Sequence, residues 1–310
     1  MERQAFIHGI YPRSEKLITS GRGLDRGRVS ALDHRQKEEE DQASLVQLQL
    51  ENGFMFIEDG KFTWQDIFRP FVLSTDGMEV GALTRWFDTN TFYKQPRING
   101  RLSFDPEKFD AFLPNVPREN QKITLPSPLT FARLCTDTRG VDFAQTLSTV
   151  TGLMVSAVTH LEKKGIKAIQ FNEPFAPYAG RVEDVDNLIR SIQDVSSGKS
   201  LSIIHFYFGD GAPFLRVFEE RESSVDIVGV DFYKTKFADI PIDFSKALLA
   251  GVLDSQNILI EEKDKIERFI GQISEQVRPQ SLYLTHNADL EFVPEAIANQ
   301  KLKLLGELIR

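Results

Sequence analysis

The sequence predicts an α/β chain, a (β/α)8 TIM-type barrel with a hairpin excursion after an early strand. Three observations predict it. Eight short apolar runs recur along the chain, stretches of helical period separate most of them, and 310 residues suit one large domain. A doubly wound open sheet is the alternative, because a count of strands does not show closure. The whole chain, 1–310, reads as one barrel domain without an internal linker or low-complexity segment.

The first strand is expected over Ala5–Ile10 and is ended by Pro12. The Gly- and Arg-rich stretch 20–35 reads as a mobile surface loop. Lys37–Asn52 carries apolar residues at helical spacing and is stopped by Gly53. Strands are expected at Phe54–Ile57 and Lys122–Leu125. Helix and strand then alternate: helix Val141–Lys164, strand Lys167–Phe171, helix Glu183–Val195, strand Leu201–Phe206, helix Ala212–Arg221 and strand Val225–Val230. Strand Leu248–Leu253, helix Glu261–Val277, strand Ser281–Thr285 and helix Val293–Ile309 complete the pattern. The stretch 58–120 is too long for one crossover. It contains Arg97–Ile98–Asn99–Gly100–Arg101–Leu102, and Asn-Gly between apolar flanks signals a hairpin turn.

Composition narrows the function. The formal net charge is −8, so phosphate backbones have no global attraction for the chain and nucleic acid is not an expected partner. No apolar run approaches the roughly 20 residues that span a bilayer, and no apolar leader is visible near Met1, so a cytoplasmic protein without membrane contact is expected. The single cysteine, Cys135, excludes an intrachain disulfide, and its neighbours offer nothing to activate a nucleophile. No GxGxxG or GxxxxGK[ST] cradle is present. The run Glu38–Asp41 reads as a solvated helix start.

A barrel presents functional residues just after its strands. Those positions hold Pro12–Arg13, Glu58–Asp59, Ser127–Pro128, Asn172–Glu173, Gly209–Asp210, Asp231, Asp254 and His286–Asn287, with His205 near the end of its own strand. This rim is polar and acid-rich. Each residue read singly is also compatible with solvating a loop or capping a helix. A lone strand histidine such as His205 is more often a hydrogen-bonded core residue than a ligand.

Several segments resemble cobalamin-independent methionine synthase, in its N-terminal barrel. Arg85–Trp86–Phe87–Asp88–Thr89–Asn90–Thr91–Phe92–Tyr93, followed by Pro96, is similar to that family's tryptophan-phenylalanine-aspartate-threonine-asparagine motif. Gly9–Arg13, Leu125–Phe131, Ile169–Pro174, Tyr207–Asp210, Gly251–Asn257 and Asp289–Glu291 continue the likeness in order. One departure is Asn172, where the family has aspartate before the glutamate.

The resemblance implies methyl transfer from a methylated folate-type donor to homocysteine, within methionine biosynthesis. It also implies a zinc ion, held in the C-terminal barrel by a histidine, two cysteines and a glutamate. By strand order His205 matches the histidine, Tyr207 stands where one cysteine is expected, Asp231 where the glutamate is expected, and no cysteine occurs near Ala288. No metal is therefore expected on this chain. Zinc is expected on a partner, the zinc-bearing catalytic barrel of a split enzyme, with this chain binding the donor or bracing that barrel. The candidate ligands for the donor's polyglutamate tail are Arg13, Lys16, Lys94, Arg97 and Arg101, since successive carboxylates need several cationic groups. A second reading is a stand-alone barrel methyltransferase or lyase using Glu173, His205, Asp231 and His286 as acid–base groups. A third is a non-catalytic scaffold.

Overall fold

The computed structural model describes residues 3–181, 184–196 and 198–310. Its elements, in order, begin with β1 (Arg3–Ala5), α1 (Glu15–Asp25), α2 (Ala31–Glu51), α3 (Arg69–Leu73), β2 (Thr75–Arg85), β3 (Phe92–Phe104) and α4 (Pro106–Phe109). They continue with β4 (Lys122–Pro126), α5 (Pro128–Leu134), β5 (Thr136–Asp137), α6 (Phe143–Lys163), β6 (Ala168–Glu173), α7 (Phe175–Ala179), α8 (Val185–Val195), β7 (Leu201–Phe206) and α9 (Ala212–Glu220). The last are β8 (Ile227–Asp231), β9 (Ala247–Leu253), α10 (Lys263–Gln272), β10 (Leu282–His286) and α11 (Glu295–Leu308). The expected start of the helix before β7, Glu183, lies outside the described residues.

Seven strands form one parallel sheet in the order β1-β10-β9-β8-β7-β6-β4. The gap between β4 and β1 is spanned by residues 54–57. Met55 N donates to Ala5 O at 2.9 Å, and Ile57 N donates to Asn120 O at 2.8 Å. Lys122 N donates back to Ile57 O at 3.1 Å. The expected second strand thus joins both edges, although only Ile57 is bridged in ladder register, to Gln121. The interior is layered. Phe6, Phe56, Ala168, Ile203, Ile227 and Leu249 fill the end from which the strands start, and polar side chains fill the other.

Three expectations are corrected. The stretch 20–35 is not a loop. Ser14 caps α1 by accepting from Leu17 N, Ser30 caps α2 by accepting from Asp33 N, and the two helices pack as a hairpin. Gly23 looks like a breaker in the sequence but serves close packing, because a Cβ there would lie 2.5 Å from Val29 Cγ2. Second, Asn99–Gly100 is not a turn but lies inside β3. The hairpin turns at Trp86–Thr91, and the register skips between Asp76 and Met78 opposite 99–102. That bulge is built on Gly77 (φ +85), where a Cβ would lie 2.4 Å from Arg101 O. Third, β1 stops at Ala5 rather than Ile10, so the residue that reaches the rim from this strand is His8.

Candidate active-site rim

His8, three residues past β1, and His205 and His286, at the ends of β7 and β10, are all buried. The His8 ring lies 4.2 Å from that of His286 and 4.5 Å from that of His205, centroid to centroid. Hydrogen-bond partners fix each tautomer. His205 Nε2 donates to Asn287 O at 2.8 Å, His286 Nδ1 to Ala288 O at 2.6 Å, and His8 Nε2 to His286 O at 3.0 Å. The lone pair of His286 Nε2 accepts from His8 N at 3.2 Å, and that of His8 Nδ1 from Asn172 Nδ2 at 3.2 Å. Burial therefore holds the imidazoles neutral. It pushes His205 down to about 4 and His286 down to about 3, and lowers His8 well below the usual imidazole value, with His286 adding to the effect.

Asp231 ends β8, fully buried. Its Oδ1 accepts from Tyr233 N at 2.8 Å, and the Asn287 amide beside it favours the charged form. Burial pushes this carboxyl up to about 6. His205 Nδ1 has no hydrogen-bond partner among the described residues. Glu173, the other acid–base candidate, is not part of this group. Strand alternation turns it away from the barrel interior, where it accepts from Ser127 Oγ, from Thr130 N at 3.2 Å and from Ala176 N at 2.7 Å. It ties together the starts of α5 and α7.

The hairpin of β2 and β3 is anchored beside the barrel mouth and its turn lies at the rim. Trp86 N donates to Thr91 O at 2.9 Å, and Thr89 Oγ1 donates to Trp86 O at 2.6 Å. Phe87 sits at φ +48, and Phe208, just past β7, at φ +68. Bulky residues rarely adopt this backbone region, and here two of them meet, ring centroids 5.3 Å apart. Tyr178 completes the group, 4.9 Å from Phe87 and donating to Asp88 Oδ2 at 3.0 Å. Phe87, Tyr178 and Phe208 line a cleft with Asp88, Lys234 and Gln256. Beneath it Tyr207 donates to Asp289 Oδ2 at 3.1 Å, and Asp289 Oδ1 accepts from Ile10 N at 3.0 Å. Burial raises Asp289 to about 6; burial together with Asp289 raises Glu291 to about 8.

A second buried network lies deeper. Lys122 Nζ donates to Glu58 Oε1 at 2.6 Å, to Ile7 O at 2.9 Å and to Thr124 Oγ1 at 3.1 Å. Lys61 Nζ reaches the other Glu58 oxygen at 3.3 Å. Burial lowers Lys122 to about 8, with Glu58 opposing.

The candidate anion ligands are dispersed. Arg13 Nη2 donates to Trp64 O at 2.7 Å and Phe62 O at 3.2 Å. Arg97 pairs with Glu79 at 3.3 Å on the exposed hairpin. Lys16 is exposed on α1, Arg101 is exposed beside the bulge, and Lys94 is half-buried near the turn end of β3. No hydrogen bond or ion pair joins any two of the five among the described residues.

The positions that the resemblance matches to zinc ligands hold His205, Tyr207, Asp231 and Ala288. The Tyr207 hydroxyl donates to Asp289, Ala288 offers no side-chain ligand atom, and His205 Nδ1 is without a partner among the described residues. A zinc site needs at least three protein ligands, and no cluster of three or more His, Cys, Asp or Glu among the described residues is placed to hold a metal. Cys135 follows α5, and burial pushes its thiol up to about 12. No helix among the described residues is long and apolar enough to cross a membrane.

A parallel barrel with a polar rim and a hairpin turn at its mouth is the frame on which relatives can be compared. The family model described as the N-terminal domain of cobalamin-independent synthase matches residues 75–278, and the chain belongs to that family. The 5-methyltetrahydropteroyltriglutamate–homocysteine methyltransferase of Herpetosiphon aurantiacus is 25% identical over 73% of the chain, which spans only 31% of that protein. A methionine synthase of Saccharolobus solfataricus is 23% identical, with 97% of this chain and 92% of that protein covered. The structure of a B12-independent methionine synthase from Shewanella superposes with a TM-score of 0.74 at 17% identity, over 91% of this chain and 89% of that one, a likeness of fold.

Proposed function

We propose that this chain is the structural barrel of a two-chain methionine synthase, binding the methyl donor or bracing a separate barrel that carries the zinc. One observation carries the reading: the positions matched to zinc ligands hold Tyr207, committed to Asp289, and Ala288, which has no donor atom. The match to an N-terminal domain supports it. The donor is a methylated folate, whose flat ring suits the cleft of Phe87, Tyr178 and Phe208 and whose anionic tail suits cations of the rim, Arg13 and Lys16, and of the hairpin, Lys94, Arg97 and Arg101. The setting is the cytosol, in keeping with one free cysteine. Methyl transfer from methyltetrahydrofolate to homocysteine should be at background with this chain alone and should rise at least tenfold when a zinc-bearing barrel of the same family is added. Full activity by this chain alone sinks the proposal.

A second reading is a stand-alone enzyme. It is supported by the Saccharolobus relative, which has nearly this length and carries the synthase name. Asp231, buried at the end of β8 with its carboxyl raised to about 6, is then the acid–base group.

A further inference from the structure

The hairpin of β2 and β3 meets the barrel over a small cavity of about 20 Å³, room for one water-sized group. Trp86 and Tyr93 of the hairpin line one side of it, and Ile10, Asp66, Asp289 and Glu291 line the other. The joint adjoins the cleft at the hairpin turn, since Trp86 and Phe87 are neighbours whose ring centroids lie 4.9 Å apart.

Three carboxyl groups meet at this joint, and their surroundings differ. Asp66 Oδ1 accepts from Phe68 N at 3.0 Å and from Arg69 N at 2.9 Å. Its Oδ2 accepts from Lys94 N of β3 at 3.1 Å and from the Arg69 guanidinium at 3.1 Å, so Asp66 ties the hairpin down as a charged acceptor. Asp289 has Ile10 N and the Tyr207 hydroxyl. Glu291 has neither kind of support. Its backbone N donates to Ile10 O at 3.1 Å, but its carboxyl accepts no hydrogen bond among the described residues. The cation that acts on it is Arg13, whose guanidinium already donates to Trp64 O and Phe62 O. A carboxylate without donors, beside two others and screened from water, is costly to hold. Burial, Asp289 and Asp66 accordingly raise Glu291 to about 8, against Arg13. On the hairpin side Tyr93 stays neutral, since burial raises its hydroxyl to about 12.

We propose that the hairpin is a strap over the cleft, held down while Glu291 is protonated and released when that carboxyl ionises. Phe87, at the hairpin turn, is one wall of the cleft with Tyr178 and Phe208, so lifting the strap parts that wall from the others. In the lifted state water reaches Glu291, and its carboxyl returns towards its ordinary value of 4.5. Between about 4.5 and about 8, lifting therefore releases a proton. The closed strap is fully favoured below that window and loses ground as pH rises through it, by up to about tenfold per pH unit.

Amide hydrogen exchange of the unmodified protein at pH 5 and pH 8, each corrected for the intrinsic rate, reads the opening directly. Protection along 92–104 is expected to fall at least tenfold more than protection along 201–206, whose bonds belong to the barrel. Glu291→Gln keeps the shape of the side chain and is neutral at both pH values. It should remove that difference while the hairpin stays protected at pH 5. An equal fall in the two strands of the unmodified protein overturns the proposal, and so does a Glu291→Gln variant that keeps the full difference. None of these outcomes depends on methyl transfer.

Discussion

Replacing Lys122 with methionine should lower the unfolding free energy by about 3–5 kcal/mol, read from urea denaturation midpoints. Lys122 is fully buried and gives hydrogen bonds to Glu58, Ile7 O and Thr124. Methionine fills similar volume but leaves an acceptor carbonyl bare and the Glu58 carboxylate with the Thr124 hydroxyl and the longer contact to Lys61 as its remaining side-chain partners. The penalty comes from the unpaired charge left inside rather than from the strength of the pair that was lost. Lys16→Met, at an exposed site, should change stability by no more than about 0.5 kcal/mol. A loss below about 1 kcal/mol for Lys122→Met contradicts the network as described.

Trp86→Ala should be of similar size, about 3–5 kcal/mol. Its ring is buried and lies 6.0 Å from Phe68, 5.6 Å from Tyr93 and 4.9 Å from Phe87, centroid to centroid. These contacts join the hairpin turn to the barrel wall. The loss should be local in character: amide exchange along 92–104 should accelerate far more than along β7, whose bonds belong to the barrel. Equal acceleration in both strands would show that Trp86 is ordinary core and does not fasten the hairpin.

The barrel is legible in the sequence wherever a strand is buried on both faces. Leu201–Phe206 has the bounds its apolar run suggests, and β8, β9 and β10 begin and end within two residues of theirs. Rim residues that follow such strands, His205, Asp231 and His286, are found for the same reason. His8 escapes because β1 holds only three residues in register, and the apolar run continues past it to Ile10 and Tyr11. Lys122 and Lys61 escape because a lysine is ordinarily read as solvated, and only the position of Glu58 across the barrel makes them interior. The α1–α2 hairpin escapes because glycine counts against a helix by intrinsic propensity, whereas Gly23 leaves room for the close approach of Val29. Asn99–Gly100 misleads because a dipeptide suited to a turn is equally suited to a bulge, and the choice depends on Gly77 in the other strand. The zinc thiolates are different again. Their absence follows from the cysteine count alone, before any strand is placed.

The central claim is that the rim of this chain holds its polar groups for itself and leaves zinc to another barrel. Metal analysis of the purified protein after equilibration with excess zinc and gel filtration tests it most directly. The account predicts zinc far below one ion per chain, with no change when His205 is replaced by glutamine. One tightly held zinc per chain, lost in His205→Gln, would contradict it.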